Sequence, residues 1–563
     1  MKKKTGLSRK ELEQLNKNDL MDMVLKMQET AQSKEETLAE KDRIIASSEK
    51  QIDILTQEVR LLRAQHFGRK SERNDAENTD DNQMVMECLF NEAEAIEDQA
   101  EKEPQEIKVS AHTRKARPKG KQEADLSRLR KAEPKHYELN EDQLRELFPQ
   151  GYRELPVDIT RQIEHVPAEY YVQEYHVHVY CDKADQSHVV RADAPKKLFG
   201  KGLASPSLVA GVMNGKYTNG LPLYRIEQEF ERNEVPIIRQ TMSHWIILAA
   251  ERYFSLLIQR MKEELFTHHV IHSDETPMLV HRDGRKAGSK SYMWVYRSNV
   301  LDPHPVILFD YQKTRHYSHP QEFLEKFQGV VVTDGYEVYH KLARLRPGEI
   351  TVSGCWVHMV RKFKDALKGL GKSWKNTAGG SIAEEAVERI GEIFDMDNQL
   401  NGLTSEERLR LRQEKEEPKV DEFFAWVKEH RGDVTLKSLT GKAMTYCLNQ
   451  ETYLRAFLKD GEIPMENNAA ERAIRPFCIG KKNWVMSDTI HGAKASGIVY
   501  SVVETAKAND LKPYEYMKYL LEEIPRHMDD TNLDFLDALL PWSDALPERC
   551  HRKPLDTEEP KQG

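Results

Sequence analysis

Between residues 268 and 360 the chain concentrates its β-branched and aromatic residues into short runs: HVIHSDETPMLV, SYMWVYRSN, HPVILFDYQ, GVVVTDGYEVY and EITVSGCWVHMV. Apolar runs of this length, bounded by turn formers such as Asp283-Gly284, read as strands with at least one buried face. The first three are close enough for an antiparallel meander, and a helical stretch at about 319–327 separates the third from the fourth. This order demands a sheet with helices packed on it, and it sets acids at strand ends. Asp274 ends the first strand and Asp334 follows the run Val330-Val-Val-Thr333. If the first and fourth strands are neighbours, the two carboxylates converge at one edge of the sheet. Adjacent carboxylates repel unless a cation neutralises them. Such oxygen ligands suit Mg²⁺ or Mn²⁺, and two ions about 4 Å apart activate a nucleophile and stabilise the leaving oxygen of a phosphodiester. Strand-end aspartates are also ordinary turn formers, as Asp310 in LFDY reminds. A third acid is needed to tell a metal site from a pair of turns.

That acid is expected on a helix after the fifth strand. An insertion of about 364–463 comes first and reads as wholly helical. Ala383, Val387, Ile390 and Phe394 form one stripe, and Thr404-Ser-Glu-Glu407 has the capping-box pattern. Beyond it, ENNAAERAIRP places Glu471 one turn into a new helix, beside Arg472 and Arg475 and ahead of Lys481 and Lys482, a basic surface suited to phosphates. Asn468 to Glu471 also has capping-box spacing, so Glu471 is equally able to start its helix, and Glu466 is the rival acid. Three strands, helix, strand, helix, strand, helix resembles the order of the ribonuclease H-like fold.

The flanks carry a different signal. Residues 8–66 read as one long helix in which Val24, Ala31, Leu38, Ile45, Ile52 and Val59 recur every heptad, while Lys34, Lys41 and Ser48 weaken the second row. This predicts a coiled coil, with a single exposed helix as the alternative. The helix runs into Arg60, Arg63, Arg69, Lys70 and Arg73. Twelve acidic residues and one lysine lie between Asp75 and Ile107, so this stretch outweighs the net charge of −9 and leaves +2 for the rest. The acidic total therefore does not exclude DNA as a partner. Residues 75–122, acidic then basic, read as a disordered linker. Six widely spaced cysteines, with no C-x-x-C pair, argue against a disulfide framework or a cysteine-rich zinc module. No apolar run reaches the roughly 18 residues of a membrane span, and the basic start lacks the apolar core of a signal peptide. A cytoplasmic, nucleoid-associated protein is expected.

Residues 155–195 alternate polar and apolar and predict a small β-rich module; His165, His176, His178 and Cys181 fit no standard zinc spacing and read as strand residues. After Ser205 the pattern becomes helical. Leu223, Ile226 and Phe230 mark one helix, and a break at Pro236 precedes a second helix from about Arg239 with Met242, Trp245, Ile246 and Ala249. Two short helices joined by a turn suit a helix-turn-helix whose second helix enters the major groove through Arg239, Gln240, Ser243 or His244, although many such pairs only pack.

Successive blocks complete the picture: FGRKSER (67–73), YTNGLPLYRIEQEFERNEVPIIRQTMSHWI (217–246), HSDETP (272–277), TDGYEVY (333–339), GCWVHMVRKF (354–363), ENNAAERAIRPFCIGKKNW (466–484), VETAKANDLKPYEYMKYLL (503–521) and ALLPW (538–542). In this order they resemble the signature blocks of insertion sequence 66 family transposases of the DDE type. The resemblance implies a multidomain α+β protein. Its parts are a coiled coil with a basic end (1–74), the linker (75–122), the β-rich module (123–200), a helix-turn-helix region (201–256), a ribonuclease H-like catalytic domain with an all-helical insertion (257–527) and a C-terminal extension (528–563). It implies Asp274, Asp334 and Glu471 as the catalytic triad holding Mg²⁺ or Mn²⁺, two ions by the usual mechanism. Cys355 and His358 are similar to a C-x-x-H element that supports the site in several DDE groups. The family's zinc-binding segment falls near 125–185, where this chain has one cysteine, so zinc is not expected. Transposon-end and target DNA, homo-oligomerisation through the coiled coil and accessory proteins of the same element are the implied partners. A structure-specific nuclease of the same fold and a catalytically silent DNA-binding protein are the rival readings.

Overall fold

The computed structural model describes residues 169–181, 189–192, 196–199, 202–286, 288–300, 302–370 and 381–553, with isolated positions at 21, 41, 142 and 150. The expected coiled coil, its basic end, the linker and most of the β-rich module lie outside the described residues.

The described elements are, in order, strands β1 (Val179–Cys181) and β2 (Val189–Arg191), then helices α1 (Pro206–Met213), α2 (Leu223–Arg232), α3 (Arg239–Ala249) and α4 (Ser255–Leu265). Next come β3 (Val270–Arg282), β4 (Lys290–Ser298), β5 (Ile307–Gln312), α5 (Ser318–Phe323), β6 (Gly329–Thr333), α6 (Glu337–Leu345) and β7 (Ile350–Gly354). Helices α7 (Trp356–Leu370), α8 (Ile382–Gln399), α9 (Ser405–Leu411), α10 (Glu417–His430) and α11 (Leu439–Leu454) follow. The chain continues through α12 (Asn468–Trp484), β8 (Met486–Thr489), α13 (Ile490–Ala508) and α14 (Pro513–Glu523). This is a mixed α/β protein with a mixed sheet.

Two compact units divide these elements. The first takes His269–Ser273 of β3 together with His316–Asn468. Here β3 and β6 run parallel with Val270 opposite Val330 and His272 opposite Val332, and β6 and β7 run parallel with Val331 opposite Val352. Parallel strands are covered on both faces and so read as continuous apolar runs; Val330, Val331 and Val332 are all buried. The helices of the insertion complete this unit. Trp356, at the start of α7, packs its ring on Phe423, Phe424 and Phe457 at 6.0, 6.2 and 5.8 Å between centroids. Thr404 caps α9 by accepting the Glu407 N–H at 3.3 Å, as the capping box predicts.

The second unit takes the described residues up to 268, Asp274–Arg315 and the chain from 469 onward. Strands β4 and β5 are antiparallel, with Trp294 opposite Asp310 and Tyr296 opposite Leu308. Strand β8, which the sequence did not suggest, runs parallel to the far end of β3 with Leu279 opposite Met486. The backbone of β5 is covered by α13: the N–H groups of Ile307 and Phe309 donate to Thr505 Oγ1 and Ser501 Oγ at 3.0 and 2.8 Å, and Thr505 donates back to the Ile307 carbonyl at 2.9 Å. A helix thus satisfies strand groups that would otherwise be left as an open edge. Gly497 permits the approach, since a Cβ there would stand 3.1 Å from the Phe309 carbonyl. Helices α2 and α3 lie in this unit too, joined by residues 233–238, with Ile226, Phe230, Met242, Trp245 and Ile246 buried. Among the described residues no helix is long and apolar enough to cross a membrane.

Candidate active site

In the first unit, Asp334 sits half-buried directly after β6. Its Oδ1 accepts the Tyr336 N–H at 2.9 Å, an Asx turn that sets the carboxylate's rotamer. Its own carbonyl accepts the Tyr446 hydroxyl at 2.8 Å. His340, on α6, lies face to face with Tyr453 at 3.7 Å. Burial, aided by Arg344, holds the His340 imidazole down at about 4, so the ring brings no charge to this neighbourhood at neutral pH.

Asn467 is fully buried in the same unit, and its side chain and its N–H are all engaged. Its Oδ1 accepts from His272 Nδ1 at 3.0 Å, its Nδ2 donates to the Ser273 carbonyl at 2.9 Å, and its N–H donates to Cys355 Sγ at 3.2 Å. Cys355 N–H in turn donates to the Thr333 carbonyl at 3.0 Å, and Trp356 N–H to the Met465 carbonyl at 2.9 Å. The segment leading into α12 is therefore stitched to β3 at His272 and Ser273 and to the C-terminal ends of β6 and β7. Emptying this network would strand several buried polar groups at about 1–3 kcal/mol each. Cys355 thus acts here as a buried acceptor, and His358 follows it, half-buried, in the first turn of α7. Glu466, the rival third acid, precedes α12 and accepts from the Asn468 side chain at 2.5 Å.

In the second unit, Asp274 lies within β3 and not at its end, as the sequence suggested, because the strand continues to Arg282; it is half-buried, with Oδ1 accepting the Glu275 N–H at 2.8 Å. The neighbouring Glu275 is differently occupied: Arg315 Nε donates to its carboxylate at 2.7 Å, which neutralises that charge internally. Glu471 stands half-buried in the first turn of α12. Arg472 and Arg475 on the same helix are exposed. Lys481 instead turns inward, its ammonium donating to the Pro277 carbonyl at 2.7 Å and to Thr276 Oγ1 at 3.3 Å, and burial lowers its pKa. Burial lowers Lys482 as well.

The helix pair places Arg239, Gln240 and His244 on exposed positions of α3, with Ser243 half-buried. Arg239 is already engaged. Its N–H donates to Glu227 Oε1 at 2.9 Å, its guanidinium lies 3.8 Å from the same carboxylate, and Tyr224 lies beneath it at 5.5 Å. Any ligand of Arg239 competes with Glu227.

Sequence reasoning passed over Asn467, Tyr446 and Gln450. Asn467 stood inside a quoted block, but nothing in its spacing distinguished it from a helix-start asparagine. Tyr446 offered no local signal, since it meets Asp334 across 112 residues of chain.

Comparison with known proteins bears on this arrangement. A family model described as "Transposase IS66 family" matches residues 201–495, one described as "IS66 C-terminal element" matches 501–542, and one described as "Transposase C of IS166 homeodomain" matches 54–136. Three relatives from Sinorhizobium fredii (strain NBRC 101917 / NGR234), each described as an uncharacterized protein, are similar over much of the chain. The protein y4qI is 28% identical over 63% of this chain and 65% of its own length. Both y4hP and y4jD are 27% identical, over 68% and 65% of this chain and 70% and 71% of their own lengths. The chain thus spans just under two thirds of y4qI. The first of the family models alone accounts for more than half of the residues, including Asp274, Asp334 and Glu471, and the chain belongs to the IS66 transposase family.

Proposed function

We propose that this chain is a DDE transposase: it binds the terminal inverted repeats of an insertion sequence and catalyses metal-dependent DNA cleavage and strand transfer. Asp274, Asp334 and Glu471 are the catalytic residues, carried on a ribonuclease H-like domain. The observation that carries the reading is the match of residues 201–495 to the IS66 transposase family, a span that holds all three acids. Within the first unit, Asp334 follows directly on β6, whose Val332 pairs with His272 on a parallel strand.

The donor chemistry fits the group. All three proposed ligands are carboxylates, which favour hard cations such as Mg²⁺ or Mn²⁺ over zinc. When bound, such ions stabilise charge on the attacking and leaving oxygens of a phosphodiester. The chain's own residues do the rest. The Asx turn at Tyr336 orients the Asp334 carboxylate, and the Asn467 network fixes the segment from which Glu471's helix departs. Exposed Arg472 and Arg475 neutralise phosphates, while Arg239, Gln240, Ser243 and His244 on α3 read end DNA. Water attacks the phosphodiester at each element end, releasing a 3′-hydroxyl that then attacks the target strand and displaces its 3′-oxygen. The N-terminal coiled coil pairs two subunits, and with them two ends, and the reaction takes place in the bacterial cytoplasm.

Substituting glutamine for Glu471 tests the reading, because the amide keeps a capping oxygen and loses the charge. Glu471→Gln should melt near the parent temperature, bind end DNA and lose cleavage by about three orders of magnitude or more. Glu466→Gln should retain most activity. Cleavage by Glu471→Gln with none by Glu466→Gln would move the third acid to Glu466 and leave Glu471 a helix-start residue.

A further inference from the structure

Helix α11 belongs to the insertion, yet two of its side chains end on the turn that carries Asp334. Tyr446 Oη donates to the Asp334 carbonyl at 2.8 Å, and Gln450 Nε2 donates to the next carbonyl, that of Gly335, at 3.4 Å. The two residues are four apart and so project from the same face of one helix. Gly335 has φ +90°, and a Cβ there would stand 2.6 Å from Tyr446 Oη and 3.2 Å from Gln450 Oε1. A left-handed glycine is therefore needed on two counts: the turn's own geometry and the closeness of the two side chains. Helix α11 is itself held in register. Lys362 Nζ lies 4.4 Å over the Tyr446 ring, and Tyr453, two turns further on, stacks on His340 of α6.

Asp334 Oδ1 is bound by the Tyr336 N–H, so the direction of the carboxylate follows from the direction of the turn. We propose that Tyr446 and Gln450 are positioning residues, which clamp the Asp334–Gly335 backbone and so preset the Asp334 carboxylate for a divalent cation. The inference rests on the metal-binding reading of Asp334 given above. It assigns the insertion a part in the site that the three acids alone do not express. A clamp of this kind lowers the cost of ordering a ligand when the ion arrives, and its loss is felt as weaker ion binding rather than as a changed reaction.

The test is Mn²⁺ binding to the full-length protein, read by electron paramagnetic resonance of the free ion, alongside the Mg²⁺ dependence of end cleavage. Tyr446→Phe keeps the ring and its packing and removes only the donor. Its Mn²⁺ affinity should fall by about three- to tenfold, the worth of one hydrogen bond, and half-maximal cleavage should need correspondingly more Mg²⁺. Metal-free binding of end DNA should not change. Gln450→Met, which keeps the volume, should shift both readouts in the same direction and guards against a folding defect in the first variant. A role confined to stability would lower the melting temperature while leaving Mn²⁺ affinity of the folded protein untouched, and that result overturns the inference. Asp334→Asn separates the two levels of argument. If it binds Mn²⁺ and cleaves like the parent, the metal reading of Asp334 fails and the clamp falls with it. If it loses both while Tyr446→Phe and Gln450→Met match the parent, only the clamp fails.

Discussion

Glu416 gives the sharpest quantitative expectation, and it lies inside the helical insertion. The chain makes a π-helical turn at Arg412–Glu416, between α9 and α10. Both Arg412 and Glu416 are 1% exposed, but they are not equally provided for. The Arg412 guanidinium binds Asp397 at 2.7 Å and the carbonyls of Phe457, Asp460 and Ile463 at 3.1, 3.1 and 2.8 Å. Neither oxygen of Glu416 has a hydrogen-bond partner among the described residues. Burial, reinforced by the charge of Asp397 and only partly opposed by Arg412, pushes the Glu416 carboxyl up from 4.5 to about 7. Since the folded value lies above the unfolded one, the associated stability is present below pH 4.5 and is lost as pH rises through about 7. The full loss is about 3 kcal/mol at most, because local opening toward water relieves part of it.

Glu416→Gln keeps the shape and cannot ionise. At pH 5 it should change stability by less than about 1 kcal/mol, and at pH 8 it should stabilise by about 2–3 kcal/mol. A chain of this size is not expected to unfold in one step, so the measurement is local: hydrogen exchange of amides in α10, which follows Glu416 directly. Other groups titrate alike in parent and variant, so their effects cancel when the pH 8 and pH 5 differences are compared. Equal effects at the two pH values would mean that Glu416 ionises normally and that the π turn is wet.

Arg239→Ala with Gln240→Ala should weaken discrimination between end and random DNA by about tenfold or more if these side chains read bases, as measured by competition binding at fixed salt. Retained discrimination with a shallower salt dependence would assign them to phosphates alone. Deleting residues 1–66, which carry the heptads, should lower the oligomeric state seen in sedimentation. An unchanged ratio of mass to monomer would place the association surface elsewhere.

The strands were legible in the sequence because their environment is simple. The run Val330-Val-Val lies between buried partners on parallel strands, so every position is apolar and no alternation needs decoding. Helix α12 was legible for another reason: Asn468, Glu471 and the alanines after it carry a start signal. Strand β8 was not, because Met-Ser-Asp-Thr is neither buried nor apolar and exists only through its pairing with β3. Arg412 was not legible either, for the opposite reason. Within ERLRLRQEKEE it reads as one more solvated charge, and only the carbonyls of residues 457–463, some fifty positions away, explain how a guanidinium is buried there. Patterns within about ten residues reveal elements; partners brought by the fold reveal sites.

That distinction changes what the word insertion means here. By sequence, residues 364–463 interrupt a sheet-bearing domain and invite treatment as a separable lobe. By packing they do not, since Val270, Val330 and Val332 of the parallel strands share one hydrophobic cluster with Phe423, Phe424, Val427, Met444 and Phe457 of the insertion. Trp356 joins the two parts: its ring lies among the phenylalanines and its Nε1 donates to the Leu454 carbonyl at 2.8 Å. A side chain of that size, buried to 0% exposure, contributes roughly 3–5 kcal/mol that truncation would forfeit. Excising the insertion would uncover Trp356 and the inner faces of β3 and β6 together, and would also remove Tyr446 and Gln450 from the Asp334 turn. The strands could not be expected to keep their register without that cover, because parallel pairing depends on both faces being buried. The insertion thus supplies most of the core on which Asp334 stands, and its packing residues are as much a condition of that carboxylate's placement as the strand that precedes it.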